Sequence, residues 1–93
     1  MDNISLLQSS KDIAINIACK VRKKRKILKI TQEDMANKIG VSLSTYRKFE
    51  KTGEINLISL IDIAFVLDET DAFNKLFEKE TYKDIEEVIK LNA

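Results

Sequence analysis

The sequence of 93 residues contains no histidine and only a single cysteine. The commonest general base and a common metal ligand are therefore missing, and one cysteine builds neither an internal disulfide nor a zinc cluster. With only two glycines, the chain also lacks a glycine-rich loop that would cradle a nucleotide phosphate. We therefore predict that the protein is not an enzyme and that it has no metal or cofactor site.

Long hydrophobic runs are absent as well. No apolar stretch approaches the ~18 to 20 residues that are needed to cross a membrane. The N-terminal sequence MDNISLLQSS has neither the basic start nor the apolar middle of a signal peptide, and the lone Cys19 fits a reducing compartment. These features predict a cytoplasmic protein that has no membrane partner.

Chain breakers are scarce, because proline is absent and the two glycines lie at positions 40 and 53. An apolar fraction of 44% and a charged fraction of 33% indicate one small globular domain. Apolar spacing predicts an all-α chain of five helices, with N-terminal caps at Ser9, Thr31, Ser42, Asn56 and Thr70. The first helix should span about 10–28 and the third about 43–52, and the others should begin just after their caps. A weaker short helix should follow Thr81.

The spacing of apolar residues also predicts which helix faces are buried. The first helix should bury one stripe formed by Ala14, Ile17, Ala18, Val21, Arg25 and Leu28. The fourth should bury Leu57, Leu60, Ile61, Ala64 and Leu67. After Thr70, three further side chains are expected to point inward: Phe73, Leu76 and Phe77.

The region after the fourth helix holds more apolar side chains than a short helix needs for its own core. Besides the three just named, these are Tyr82, Ile85, Val88 and Ile89. Part of this surface is predicted to form a two-fold homodimer contact. The alternative is that the C-terminal segment folds back over the core of the same monomer.

The formal net charge of +1 hides a strong asymmetry between the two halves of the chain. Residues 1–53 carry twelve Lys and Arg against five acids, whereas residues 54–93 carry four Lys against ten acids. The basic half has the electrostatic character of a phosphate-binding surface. The acidic half should face away from a polyanion, towards solvent or a protein partner.

Residues 32–51, QEDMANKIGVSLSTYRKFEK, have the pattern of two short helices joined by a tight turn. Gly40 suits the left-handed backbone of the turn, and Ser42 suits the cap of the second helix. Tyr46 and Phe49 lie three residues apart and should point inward, while polar and basic side chains face outward. A helix that is apolar behind and cationic in front suits the major groove of DNA.

This pattern resembles the helix-turn-helix of phage-repressor-like (Xre-type) bacterial regulators. The resemblance rests on the TQ that begins the second helix, the alanine in its middle, the turn glycine and the FE near the end of the third helix. It implies an all-α, five-helix lambda-repressor-like DNA-binding domain over residues 1–93, with a core at about 10–77 and a short C-terminal extension, 78–93. The implied function is sequence-specific transcriptional regulation on double-stranded DNA.

Within that family, the run FEKTGEINLISLIDIAFVL is similar in style to HipB-like antitoxins, small regulators found beside HipA-like kinase toxins. This similarity implies an alternative function. The protein would then be an antitoxin-like interaction module that binds and restrains a toxin partner.

By resemblance, the residues that read bases are Leu43, Ser44, Thr45 and Lys48. Leu43 would contact a thymine methyl or pack back on its own helix. Arg47 and Lys48 are candidates for guanine contacts or for phosphate contacts. Gln32, at the start of the second helix, would donate to a phosphate or simply face solvent. The predicted DNA-binding set is completed by Ser42 and Lys51.

Three further groups accompany this predicted interface. By resemblance, Arg25 and Glu50 form a structural ion pair that braces the first helix against the third. Tyr46 stands where the family has an aliphatic residue, and its hydroxyl is expected to reach the surface or a phosphate. The basic side chains of the first helix form either a phosphate-steering patch or a solvated face: Arg22, Lys23, Lys24 and Lys26.

Overall fold

The computed structural model describes residues 8–79 and 89–90. In these residues five α-helices follow one another and no strand occurs: α1 Ser10–Ile27, α2 Gln32–Ile39, α3 Leu43–Thr52, α4 Leu57–Val66 and α5 Asp71–Asn74. The predicted all-α, five-helix fold is confirmed. Residues 89–90 are helical, whereas Tyr82, Ile85 and Val88 of the predicted last helix lie outside the described residues.

Side-chain caps set the starts of the first four helices. Ser9 and Asp12 form a complete capping box at α1, with 3.1 Å for each of its two hydrogen bonds. Thr31, Ser42 and Asn56 each accept a hydrogen bond from the backbone N–H three residues later. Local sequence therefore fixes these starts without help from distant residues. The predicted cap at Thr70 is wrong, because its side chain makes no cap hydrogen bond.

Both glycines end a helix in the left-handed conformation, with φ of 73° at Gly40 and 80° at Gly53. Gly53 has a second constraint, because a Cβ at this position would lie 2.6 Å from the backbone carbonyl carbon of Ala14. The end of α3 therefore approaches the backbone of α1 at a distance that only glycine permits.

The core lies where α3 packs against α1 and α2, and where α2 packs against α4. Its largest fully buried side chains are Tyr46, Phe49, Met35 and Ile63. Ala18 and Ala36 are also buried, and their small side chains let the helix axes come close. The result is a scaffold that holds α2 and α3 in fixed relation. No described helix has the length and apolar character required to cross a membrane.

Several predicted core residues are exposed instead. Ile17 and Leu28 of the α1 stripe lie at the surface, since only its Ala18, Val21 and Arg25 positions are buried. Leu57 is 60% exposed because α4 buries the face that carries Ser59, Ile63 and Ala64.

The prediction for the end of the chain is also wrong in part. Helix α5 has a single turn and ends at Asn74, so Leu76 and Phe77 follow the helix and do not continue an inward face. Phe77 has a positive φ of 65° and its side chain is 92% exposed. Phe73 is only partly buried.

Candidate nucleic-acid interface

Helix α3 presents two chemically distinct faces. Tyr46 and Phe49 are buried, and their rings pack with centroids 5.9 Å apart. On the opposite side, the exposed residues are polar or basic: Ser44, Thr45, Arg47, Lys48 and Lys51. Leu43 is half-buried at the N-terminal end. This burial is intermediate between full exposure to a thymine methyl and packing against its own helix. The outward face is free of large apolar groups and offers hydrogen-bond donors and positive charge.

Three hydroxyl groups cluster at the N-terminus of α3. The Ser42 Oγ accepts from the Thr45 backbone N–H at 3.1 Å and donates to Thr45 Oγ1 at 2.8 Å. It also lies 3.2 Å from the Ser44 Oγ. Ser42 is thus committed to capping, while the hydroxyls of Ser44 and Thr45 are held at the tip of the helix.

Lys48 forms an ion pair with Glu54, with 3.6 Å between Nζ and Oε1. Both side chains are largely exposed. Thr52 helps to place the acid, because its Oγ1 donates to the Lys48 carbonyl at 2.7 Å and accepts from the Glu54 N–H at 3.2 Å. The basic side chain predicted to read bases therefore has an acidic partner in the structure.

Beneath this face, Arg25 and Glu50 form a buried, bidentate ion pair between α1 and α3. The Arg25 Nε lies 2.6 Å from Glu50 Oε2, and the second guanidinium nitrogen lies 3.1 Å from Oε1. A third Arg25 nitrogen donates to the Ile30 carbonyl at 2.8 Å. The pair expected from the resemblance is present, and its fork geometry is that of a strong charge-assisted contact.

Tyr46 joins this network. Its buried hydroxyl donates to Glu50 Oε2 at 2.5 Å. The expectation that this hydroxyl reaches the surface or a phosphate is wrong, because the carboxylate one turn further along α3 captures it. The spacing of four residues between Tyr46 and Glu50 is the signal in the sequence that indicates the contact.

Gln32 connects the buried pair to the surface. Its side-chain nitrogen donates to Glu50 Oε1 at 3.0 Å, and its Oε1 accepts from Arg47 Nε at 3.4 Å. Gln32 is half-buried, so the alternative of a plain solvent-facing residue does not hold. One of its two amide hydrogens remains available for another acceptor.

The network shifts the ionisation of its members. For Glu50, burial alone disfavours the charged form, but hydrogen bonds from Arg25, Tyr46 and Gln32 outweigh it and hold the pKa below its ordinary value. The hydrogen bond to Glu50 raises the pKa of Arg25. Burial, followed by the hydrogen bond to the ionised Glu50, raises the pKa of Tyr46 well above its usual range. At neutral pH the carboxylate is ionised and the phenol is not.

The basic residues of α1 divide between two sides of the molecule. Arg22 and Lys26 line an open cleft together with residues of α3. Lys20 and Lys24 line an apolar groove beside α4, and Lys24 pairs with Glu69 there.

Within the described part of the chain, no group of three or more Cys, Asp or Glu side chains is placed to hold a metal ion.

A protein-family model described as Helix-turn-helix matches residues 21–72, slightly more than half of the chain. The matched segment begins in the second half of α1 and reaches the start of α5. It therefore contains α2, the turn at Gly40, α3 and the network beneath them. No curated protein and no solved structure matches the chain.

Proposed function

This chain belongs to the phage-repressor-like (Xre-type) helix-turn-helix family, a family of DNA-binding regulators, and we propose that it reads specific DNA sequences with α3 in the major groove. The observation that carries the proposal is the division of α3 into a buried aromatic face and an exposed polar, basic face. An α-helix of this kind fits the width of the major groove and brings side chains to the base edges.

The exposed residues fall into two roles. Lys48 lies one helical turn after Ser44, so both lie on the same side of α3. We assign that side to the base edges, together with Thr45 and the half-buried Leu43 at the tip of the helix. Arg47 lies beside Gln32, nearer the groove wall, where a phosphate is the closer target. Gln32 and Lys51 complete the set of residues assigned to backbone contact. Ser42, which the sequence predicts to bind DNA, instead caps α3 and holds the Thr45 hydroxyl.

We further propose that the regulator binds as a homodimer. Large apolar side chains are exposed on α4 and after α5: Leu57, Ile58, Phe65, Leu76 and Phe77. Exposed apolar area of this extent supports an interaction surface on this side of the molecule. A two-fold dimer would present two α3 helices to successive turns of one DNA face, about 34 Å apart.

Selection of bound genomic fragments, followed by sequencing, tests the proposal and supplies the operator. On that operator, Lys48→Ala should weaken binding by about 1 to 3 kcal/mol and relax preference at one base pair. Arg47→Ala should weaken all sequences equally and lower the salt slope by about one unit. Gln32→Ala should also be indifferent to sequence, with little change in slope because the side chain is uncharged.

Lys38→Ala is the matched control, since it removes an exposed positive charge from α2 outside the assigned set. If Lys48→Ala behaves like Lys38→Ala on every sequence, Lys48 does not read bases. If changes to α3 leave DNA binding intact while changes to the acidic half abolish binding to a toxin protein, the antitoxin alternative replaces the proposal.

A further inference from the structure

Two helices contribute matched pairs of cations to one cleft. Arg22 and Lys26 of α1 line it from one side, and Arg47 and Lys51 of α3 line it from the other. Each pair has a spacing of four residues, which places both side chains on the same helix face about one turn apart. The cleft has a volume of about 560 Å³ and is open to solvent.

The described acidic side chains do not neutralise the positive charge of this cleft. Glu50 is the only acidic residue among the described residues that line the cleft, and its carboxylate is already bound by Arg25, Tyr46 and Gln32. Among the described residues, none of the four cations forms a salt bridge, whereas Lys24, Arg25 and Lys48 each do. Four positive charges therefore converge on one concave surface, and no acidic side chain in the described part of the chain pairs with them.

We propose that this cleft binds two or more adjacent phosphate groups at once, and that Arg22 and Lys26 are phosphate-binding residues alongside Arg47 and Lys51. A single phosphodiester carries one negative charge and would leave most of the cleft charge unmatched. Consecutive phosphates of a DNA strand supply the missing charge, and so does a free polyphosphate. The first source rests on the proposed function and the second does not.

Gln32 has a defined part in this cleft. Its amide is oriented by Glu50 and in turn accepts from the Arg47 Nε. That contact occupies one edge of the guanidinium and leaves its two terminal nitrogens for an oxyanion. Gln32 is therefore a positioning residue for Arg47 as well as a donor at the N-terminus of α2.

The chain offers a control of equal charge on the same helix. Lys20 and Lys23 are exposed residues of α1 that do not line the cleft. Comparison of Arg22→Ala/Lys26→Ala with Lys20→Ala/Lys23→Ala in the full chain therefore separates position from net charge. Circular dichroism and thermal melting should show that both double variants remain folded, because all four side chains are exposed.

For DNA, the measurement is the dependence of the binding constant on salt concentration. The Arg22/Lys26 variant should lower the slope of log K against log salt by nearly two, whereas the Lys20/Lys23 variant should leave it almost unchanged. Preference among sequences should stay the same in both. Equal slopes for the two variants would show that the cleft does not hold backbone phosphates.

For a free anion, the probe is inorganic tripolyphosphate titrated into the protein by calorimetry without DNA. Tripolyphosphate binding that is lost in the Arg22/Lys26 variant and kept in the Lys20/Lys23 variant would show that the cleft also binds free polyphosphate. A difference in salt slope on DNA without tripolyphosphate binding would show that the cleft binds only the phosphates of the DNA backbone. If the unaltered chain binds no DNA, the proposed function fails, and the tripolyphosphate titration alone then shows whether the cleft binds phosphate. Equal slopes together with no tripolyphosphate binding overturn the inference.

Discussion

The side of the molecule built by α1 and α3 differs from the side built by α4 and α5. On the first side the large aromatic residues Tyr46 and Phe49 are buried, and the surface above them is polar and basic. On the second side Phe65 and Phe77 are 69% and 92% exposed, in the half of the chain that carries excess acid. The outer face of α3 is charged above buried aromatic rings, whereas α4 and the segment after α5 leave aromatic rings exposed to water.

The difference concerns what each side is suited to bind. A basic surface attracts a polyanion through its electrostatic field, and this attraction needs no change in the fold. An apolar surface gains free energy only when a partner covers it. Experiments can therefore address the two sides separately, by changing the polar, basic surface in one case and self-association in the other.

The largest effect is expected from the buried ion pair. Glu50→Ala should destabilise the fold by about 3 to 5 kcal/mol, because Arg25 would remain buried without its partner. Urea denaturation measures the loss. The control is Glu69→Ala, which breaks the exposed pair with Lys24 and should cost at most about 1 kcal/mol.

Arg25→Ala should destabilise the fold by an amount similar to Glu50→Ala, and the double variant should lose less stability than the sum of the two single variants. Additive losses would mean that the two side chains are energetically independent.

The second prediction concerns pH. Glu50 has a folded-state pKa below its ordinary value of 4.5, so its contribution to stability is present above that pH and is lost as the pH falls further. Tyr46 has a raised pKa compared with 10.0, so its contribution is present below pH 10.0 and is lost as the pH rises. Free energies of unfolding from urea titrations should therefore be flat between these limits.

The matched variants for this profile are Glu50→Gln and Tyr46→Phe. Glu50→Gln should flatten the acid limb relative to the unaltered chain, and Tyr46→Phe should flatten the alkaline limb. An acid limb of unchanged steepness in Glu50→Gln would assign acid unfolding to other carboxylates.

The third prediction tests the apolar side. Phe77→Ser should weaken self-association by about tenfold or more, since burying a phenylalanine is worth about 1.5 to 3 kcal/mol. The thermal stability of the monomer should hardly change, because the exposed Phe77 side chain contributes little packing to the core. Sedimentation over a range of protein concentrations measures the effect. A chain that stays monomeric with or without the replacement contradicts the dimer.

The smallest effect is expected from Glu54. Because it pairs with Lys48 at the surface, Glu54→Gln should free the lysine and tighten DNA binding by a few tenths to about 1 kcal/mol at low salt. The gain should disappear in a Lys48→Ala background. A gain that survives there would mean that Glu54 acts by repelling phosphate and not through Lys48.

The sequence predicts the local parts of this structure well. The caps at Ser9, Thr31, Ser42 and Asn56 depend on residues three positions apart, and so does the inward placement of Tyr46 and Phe49. The buried face of α4 is harder to predict, for a physical reason. Residues 57–66, LISLIDIAFV, are apolar almost all round, so spacing alone does not select the face that carries Ile63.

Contacts between distant residues account for the rest. The link from Gln32 to Arg47 spans fifteen residues, and the division of the α1 cations depends on where α3 and α4 pack. Neither has a signature in a single stretch of sequence. The ion pair of Arg25 and Glu50, also distant in sequence, was predicted only through the resemblance to a known family.

Gly53 carries a consequence for how this interface tolerates change. The backbone of α1 at Ala14 occupies the space that a side chain at position 53 would need. The close spacing of α1 and α3 therefore depends on the absence of a Cβ atom at Gly53. A methyl group there would force the helices apart and widen the distance between Arg22 and Arg47. DNA binding can therefore fail through a residue that touches no DNA, and a map of contacts with the ligand would not reveal the cause.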